Sequence, residues 1–377
     1  MNNPKTLIIG EYLSGRGGTE KVLQDFYHEF KNTLEIHFLF LNSNELEKEW
    51  LKDITNYQYF DAGNFVKNLR ANNIFFRLLL QSYSKKTYKK YIIYRNIEAI
   101  VKKIKPKVII TTSFLYLSII KKIIKLYDID CKIIFWDHMA HSFYLKDTNQ
   151  FKKNIFNSDY YFAISSGIKN SLTEIGISKE KIFLIFNPIK RQSTNKFSTR
   201  KIKFIYVGRL MVEKQKRCMD ILYAANKLKN LDFTIEFYGD GEERHLLESQ
   251  TINMNLEDKI HYKGWHTKPW DQIEEASCLL LSSEYEGFGL VIAEAISYGI
   301  PCISSKCKYG PEDIIKPHIS GNFFQPGNVD QLANLMKEFI LQPENFIDRE
   351  IIKDSISEFY SENYFANMKK IINKIIE

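Results

Sequence analysis

CLLLSSEYEGFGLVIAEAISYGIPCISS (residues 278–305) opens on an apolar run of strand length, turns at Gly287 and Gly289, continues as a helix from Leu290 and ends in a second apolar run. A continuous apolar run has no alternation of wet and dry faces, so its strand is covered on both sides, as in parallel sheets. Strand, helix and strand in that order make one crossover of such a sheet. The same alternation extends outward. Upstream lie KFIYVGRL (203–210), helical MDILYAANKLKN (219–230), FTIEFYGDG (233–241), helical EERHLLESQ (242–250) and KIHYKGW (259–265); downstream lies helical QLANLMKEFI (331–340).

The first half repeats the pattern. TLIIGEYL (6–13) reads as a buried strand, and SGRGGTEKVLQDFYHEF (14–30) as a glycine-rich turn entering a helix with Val22, Leu23, Phe26 and Phe30 on its apolar face. Further strand-like runs are IHFLFLN (36–42), KVIITTS (107–113), KIIFWDH (132–138), YYFAIS (160–165) and KIFLIFNP (181–188). A polar stretch without apolar periodicity, IKRQSTNKFSTRKIK (189–203), separates the halves. A chain of 377 residues exceeds the size at which one core stops growing, so two α/β domains are predicted, 1–190 and 191–355. Two open α/β domains in tandem form a cleft between the carboxyl ends of their strands, where such sheets bind ligands.

Bulk properties narrow the function classes. Hydrophobic residues are 44% and charged residues 26% of the chain, which fits a packed protein rather than a disordered one. The start, MNNPKTLIIGEYL, lacks the layout of a signal peptide, and FLYLSIIKKIIKLY (114–127) carries lysines that disqualify it as a membrane span. The five cysteines are scattered without zinc-site spacing and read as reduced, in a cytoplasmic protein. Residues 1–191 hold 30 Lys+Arg against 18 Asp+Glu, and the remainder 23 against 27. The basic half should therefore face an anionic partner: phospholipid headgroups, a phosphorylated acceptor or nucleic acid. No nucleic-acid-binding motif accompanies the charge.

Three glycine loops follow strands: Gly15, Gly17 and Gly18; Gly208 before Arg209; and Gly239 and Gly241 around Asp240. Such loops expose backbone N–H groups to phosphate at a helix start, although a turn needing positive φ is the commoner reason for glycine. None is a P-loop or a GxGxxG fingerprint, which speaks against ATPase and dinucleotide readings. Glu286 precedes the glycine turn, and Glu294 lies one turn inside the following helix. A carboxylate that deep in an apolar helix start needs a partner, which a hydroxyl-rich ligand or a salt bridge within the fold would supply.

Glu286 and Glu294, seven residues apart with Gly-Phe-Gly-Leu after the first, resemble the Glu-x7-Glu motif of retaining GT-B glycosyltransferases, family 4. Other matches fall in order: GGTE (17–20), Asn187-Pro188, Val-Gly-Arg (207–209), GDG (239–241) and GPEDII (310–315). Within that family the chain is similar to lipopolysaccharide and exopolysaccharide galactosyl- and glucosyltransferases. The resemblance implies two Rossmann-like domains facing each other across a cleft, with a C-terminal helix (356–377) crossing back to the first.

It also implies roles. Arg209 and a lysine neutralise the donor diphosphate without a metal. The family has Lys-Gly shortly after the arginine, whereas this chain reads EKQKRC (213–218); Lys216 is favoured over Lys214. Glu286 holds the transferred sugar, the N–H groups of Phe288, Gly289 and Leu290 meet sugar and phosphate, and Glu294 binds the ribose. Gly17 and Gly18 face the diphosphate from the opposite wall, and Gly239 belongs to the donor site. His138, or its neighbour His141, matches the family's histidine near the transferred sugar; a structural histidine is the alternative. The two glutamates are not a glycosidase acid and nucleophile.

The resemblance thus predicts a metal-independent transferase moving a hexose or N-acetylhexosamine from a UDP-sugar to a cell-surface glycan or glycolipid. The segment 66–96 interleaves Lys and Arg with aromatic and aliphatic residues, as a helix lying on an anionic membrane does, or a core-packing helix with a solvated basic face. A UDP-sugar epimerase of the same architecture and a non-catalytic partner subunit are the competing readings; the spaced glutamates and the intact set Arg209, Lys216, Glu286 and Glu294 oppose them.

Overall fold

The computed structural model describes residues 3–10, 18–41, 54–59, 85–138, 148–343 and 348–377. Seven parallel strands form the first sheet: β1 (Lys5–Gly10), β2 (Glu35–Phe40), β3 (Tyr57–Tyr59), β4 (Val108–Thr111), β5 (Lys132–Asp137), β6 (Tyr160–Ala163) and β7 (Ile182–Leu184). Their order is β3-β2-β1-β4-β5-β6-β7. Leu7, Ile8 and Ile9 of β1 are fully buried, as the unbroken apolar run requires of a strand covered on both faces. The helices of this half are α1 (Gly18–Phe30), α2 (Lys85–Ile104), α3 (Leu117–Leu126), α4 (Thr148–Ile155) and α5 (Ser166–Ile175). On α1, Val22, Leu23, Phe26, Tyr27 and Phe30 form the buried stripe, and Phe26 meets Trp136 of β5 edge-on at 5.6 Å between ring centroids. Ser165 caps α5 by accepting from the Ile168 amide at 3.3 Å, and Gly176 ends that helix at φ 106°.

The second sheet is also parallel, β10-β9-β8-β11-β12-β13 in order, from β8 (Lys203–Val207), β9 (Thr234–Tyr238), β10 (Ile260–Gly264), β11 (Cys278–Leu281), β12 (Cys302–Ser305) and β13 (Gly321–Phe324). Its helices are α6 (Cys218–Lys227), α7 (Arg244–Asn253), the single turn α8 (Pro269–Gln272), α9 (Leu290–Ser297), α10 (Pro311–Ile314) and α11 (Val329–Leu341). The chain finishes with α12 (Arg349–Asp354) and α13 (Ser361–Ile376).

The last helix packs on the first half, not on the second from which it emerges. The Ile189 amide donates to the Phe359 carbonyl at 2.8 Å and the Ser361 amide to the Ile189 carbonyl at 2.9 Å, which leads the chain back across the polar connection. Phe365 then meets Phe30, and Lys369 pairs with Glu29. The buried residues of α13, Tyr364, Phe365, Met368, Ile372 and Ile375, recur at helical spacing, so one apolar stripe does the docking.

The strand expected over 181–188 is shorter than its apolar run, because Phe186 takes φ 55° and ends the extended backbone before Pro188. Two edge strands, β3 and β13, were not marked by any apolar run. Of the basic segment 66–96, residues 66–84 lie outside the described residues, and 85–96 open α2. No helix among the described residues is long and apolar enough to cross a membrane.

Candidate donor site

In each sheet the strand order reverses direction beside one strand, and a ligand crevice opens there at the carboxyl ends. In the second sheet the reversal lies between β8 and β11, neighbours in register through Cys278 and Phe204. The loop after β8 supplies Arg209 and Lys216, and the loop after β11 supplies Glu286. Lys216 and Glu286 converge: Lys216 Nζ is 2.7 Å from Glu286 Oε1, and the Ser283 hydroxyl donates to the same oxygen at 2.6 Å. Both side chains are largely buried, at 18% and 10% exposure, so the pair is screened little by water. No hydrogen bond among the described residues reaches Glu286 Oε2. Arg209 is exposed and forms no ion pair among the described residues. Lys214 points elsewhere, with its side chain 75% exposed and 3.7 Å from Glu243.

The loop carrying Lys216 is knitted to the strand end carrying Glu286. Ser282 Oγ donates to the Lys216 carbonyl at 2.8 Å and the Glu284 amide to the Gln215 carbonyl at 2.8 Å. Where the family pattern has glycine after its lysine, Arg217 occupies the left-handed region at φ 48°. Its guanidinium bridges Asp220 at 2.8 Å and Glu284 at 3.5 Å, contacts that hold a conformation unfavourable for a side chain.

Gly289 sits at φ 90° immediately before α9. The N–H groups of Phe288, Gly289 and Leu290 have no acceptor among the described residues, and the first turn of α9 adds the positive end of its dipole. One turn in, Glu294 is not left to a ligand alone. Its Oε1 accepts from Lys21 Nζ at 2.7 Å and its Oε2 from Trp270 Nε1 at 2.9 Å. The partner demanded by a carboxylate in an apolar helix start is thus supplied by the protein itself. The Gly239 amide donates to the Gly264 carbonyl at 2.8 Å, and a Cβ on Gly239 would stand 1.8 Å from the Gly208 carbonyl oxygen. Close backbone packing therefore accounts for that glycine, whose N–H is already engaged.

The first half closes directly over this surface. A Cβ on Gly18 would stand 2.6 Å from Leu290 Cδ1, and one on Gly287 2.5 Å from the His138 carbonyl oxygen. His138 follows β5 and keeps some exposure as a residue, yet its Nε2 is buried with no hydrogen-bond partner among the described residues. Burial pushes its imidazole down to about 3, so the ring is neutral. Farther round the rim, Asp313 Oδ2 accepts from the Ser166 amide at 2.8 Å, and Tyr309 meets the Ser171 hydroxyl at 2.9 Å. Gly17 and His141 lie outside the described residues.

The model of glycosyl transferases group 1 matches residues 187–355, the span that holds Arg209, Lys216 and both glutamates. Across 98% of its length the chain is 31% identical to the lipopolysaccharide 1,6-galactosyltransferase of Escherichia coli strain K12, covering 98% of that protein. The chain belongs to the group 1 glycosyl transferases. Its fold is the GT-B fold: the apo structure of the lipopolysaccharide outer core galactosyltransferase WaaB superposes with a TM-score of 0.81 at 28% identity, covering 98% of this chain and 99% of that one. The Anabaena Alr3699/HepE structure in complex with UDP-glucose shares the fold, with a TM-score of 0.75 at 15% identity over 99% of this chain and 100% of that one. Membership of a transferase family sets aside the epimerase and the non-catalytic subunit.

Three residues of this group 1 glycosyltransferase escaped the sequence reading. Ser283 stands three positions before Glu286, and a hydroxyl that close to a buried carboxylate is a usable signal. Lys21 directly follows the GGTE match, but only the docking of the two halves brings it to Glu294, 273 positions away. Trp270 reaches Glu294 from α8, and no spacing in the sequence links them.

Proposed function

We propose that this glycosyltransferase transfers a hexose or N-acetylhexosamine, with galactose the first candidate, from a UDP-sugar to a cell-surface glycan or lipid-linked acceptor, with retention of anomeric configuration as in family 4. The observation that carries this reading is the buried Lys216–Glu286 pair at the β8/β11 switch point, together with three N–H groups at the start of α9 that have no acceptor among the described residues. Similarity over nearly the whole chain to a lipopolysaccharide galactosyltransferase supports the acceptor class. Arg209 and Lys216 meet the diphosphate, and Lys216 is the better placed of the two candidate lysines because Lys214 is turned to Glu243. Charge accumulating on departing UDP is stabilised by these cations and the start of α9, so no metal is required. Glu286 Oε2 takes the sugar hydroxyls, and the leaving phosphate draws the proton from the acceptor on the same face.

The test is a panel of UDP- and GDP-sugars with the purified protein in EDTA. A UDP-hexose should raise Tm and release UDP slowly, since a ligand bound by the folded state alone stabilises it. Stabilisation by GDP-sugars alone, or loss of activity in EDTA, would refute the reading.

We further propose that the protein works at the inner face of the cell membrane. Tyr91, Arg95 and Lys102 lie on one stripe of α2, Lys122 and Lys125 on α3, and Leu126 and Tyr127 at its end, giving an exposed basic and aromatic face. Such a face suits anionic headgroups. Sedimentation with anionic vesicles at low salt, reversed at high salt, is expected; equal binding to neutral vesicles would contradict an electrostatic contact.

A further inference from the structure

Glu294 is held from both sides of the cleft. Trp270 Nε1 fixes Oε2 from within the second half, and Trp270 is itself immobilised, 8% exposed and stacked on Tyr298 with centroids 5.2 Å apart. Lys21, one turn into α1, reaches Oε1 from the first half. The Lys21 side chain is more than half exposed, and partial desolvation of its ammonium by the facing half is more than offset by Glu294, so the group is held above its ordinary range. Each carboxylate oxygen has two acceptor positions, so an oxygen bonded once by the protein can still accept a ligand hydroxyl.

We propose that Lys21 is a positioning residue of the donor site, fixing Glu294 toward the nucleoside and coupling that contact to closure of the two halves. The proposal rests on the assignment of Glu294 to the donor ribose. The cross-cleft bond brings α1 toward α9, and Gly18, one turn before Lys21, lies against Leu290. One carboxylate then serves as nucleoside ligand and as the anchor of the opposite domain. The absence of a side chain at Gly18 lets the helices approach closely enough for Lys21 to span the gap.

The effect should be modest and specific. The Lys21 side chain is 56% exposed, so its loss leaves the fold intact, and an ion pair of that exposure changes affinity by about three- to fivefold. Calorimetry with UDP and with UMP on wild type, Lys21→Met, Lys21→Arg, Glu294→Gln and the Lys21→Met/Glu294→Gln double variant tests this. Lys21→Met should weaken both nucleotides by the same factor at unchanged Tm, because Lys21 acts through the ribose ligand and not through phosphate. Lys21→Arg should restore binding, and in the Glu294→Gln background Lys21→Met should add nothing further. Unchanged UDP affinity in Lys21→Met, a loss seen with UDP but not UMP, or independent losses in the double variant would overturn the proposal. If Glu294→Gln itself binds UMP as tightly as wild type, the ribose assignment falls and the proposal with it; if Glu294→Gln is weakened and Lys21→Met is not, only the role of Lys21 falls.

Discussion

At the residue level, His138 shows how placement sets chemistry. Its imidazole is depressed to about 3 by burial, against an ordinary value near 6.5 in the unfolded chain. Between those values the unfolded chain binds a proton that the folded chain refuses, so folding stability falls as pH drops through that window. Compared with His138→Asn, the wild type should lose about 1.4 kcal/mol per pH unit below about 6.5, measured by denaturant unfolding from pH 7 to pH 4. Parallel curves for the two proteins would mean that the ring titrates normally. A neutral imidazole whose buried Nε2 has no hydrogen-bond partner among the described residues is suited to hydrogen-bond a sugar hydroxyl, and unsuited to act as a cation toward phosphate.

At the level of elements, the loop from Glu286 to Leu290 joins β11 to α9 by a turn that only glycine makes easily. Gly289→Ala places a side chain at φ 90°, with its Cβ 3.2 Å from Ile292 Cδ1. The expected loss is about 1–2 kcal/mol of stability, together with weaker UDP binding as the helix-start N–H groups turn away. Calorimetry giving wild-type UDP affinity would mean that these N–H groups do not meet the donor. The strands of the sheet centres were legible because burial on both faces writes an unbroken apolar run, as in IIFW and CLLL. β13 reads Gly-Asn-Phe-Phe and β3 Tyr-Gln-Tyr, edge strands with fewer apolar neighbours to satisfy, and these leave no such run. Glu286 and Glu294 were legible as candidates through their resemblance to the Glu-x7-Glu motif. The partners of Glu294 were not, because Lys21 and Trp270 reach it only through domain docking and the turn at α8.

At the level of the molecule, two parallel sheets put their carboxyl ends around one cleft, and α13 returns to tie the second half to the first. Docking brings Gly18 to Leu290, His138 to Gly287 and Lys21 to Glu294, so the candidate donor surface of the second half is roofed by the first. In the proposed mechanism Lys216 and Glu286 form the working centre of this surface. The most direct test is UDP release from the UDP-hexose that stabilises the protein, compared among wild type, Lys216→Met, Glu286→Gln and Lys214→Met. Lys216→Met and Glu286→Gln should each lower the rate by at least about 100-fold, as loss of a group acting on developing charge or on the transferred sugar does, while Lys214→Met stays within about twofold as for an exposed ion pair. Near-normal rates in Lys216→Met or Glu286→Gln, or a collapse in Lys214→Met, would mean that the working centre lies elsewhere.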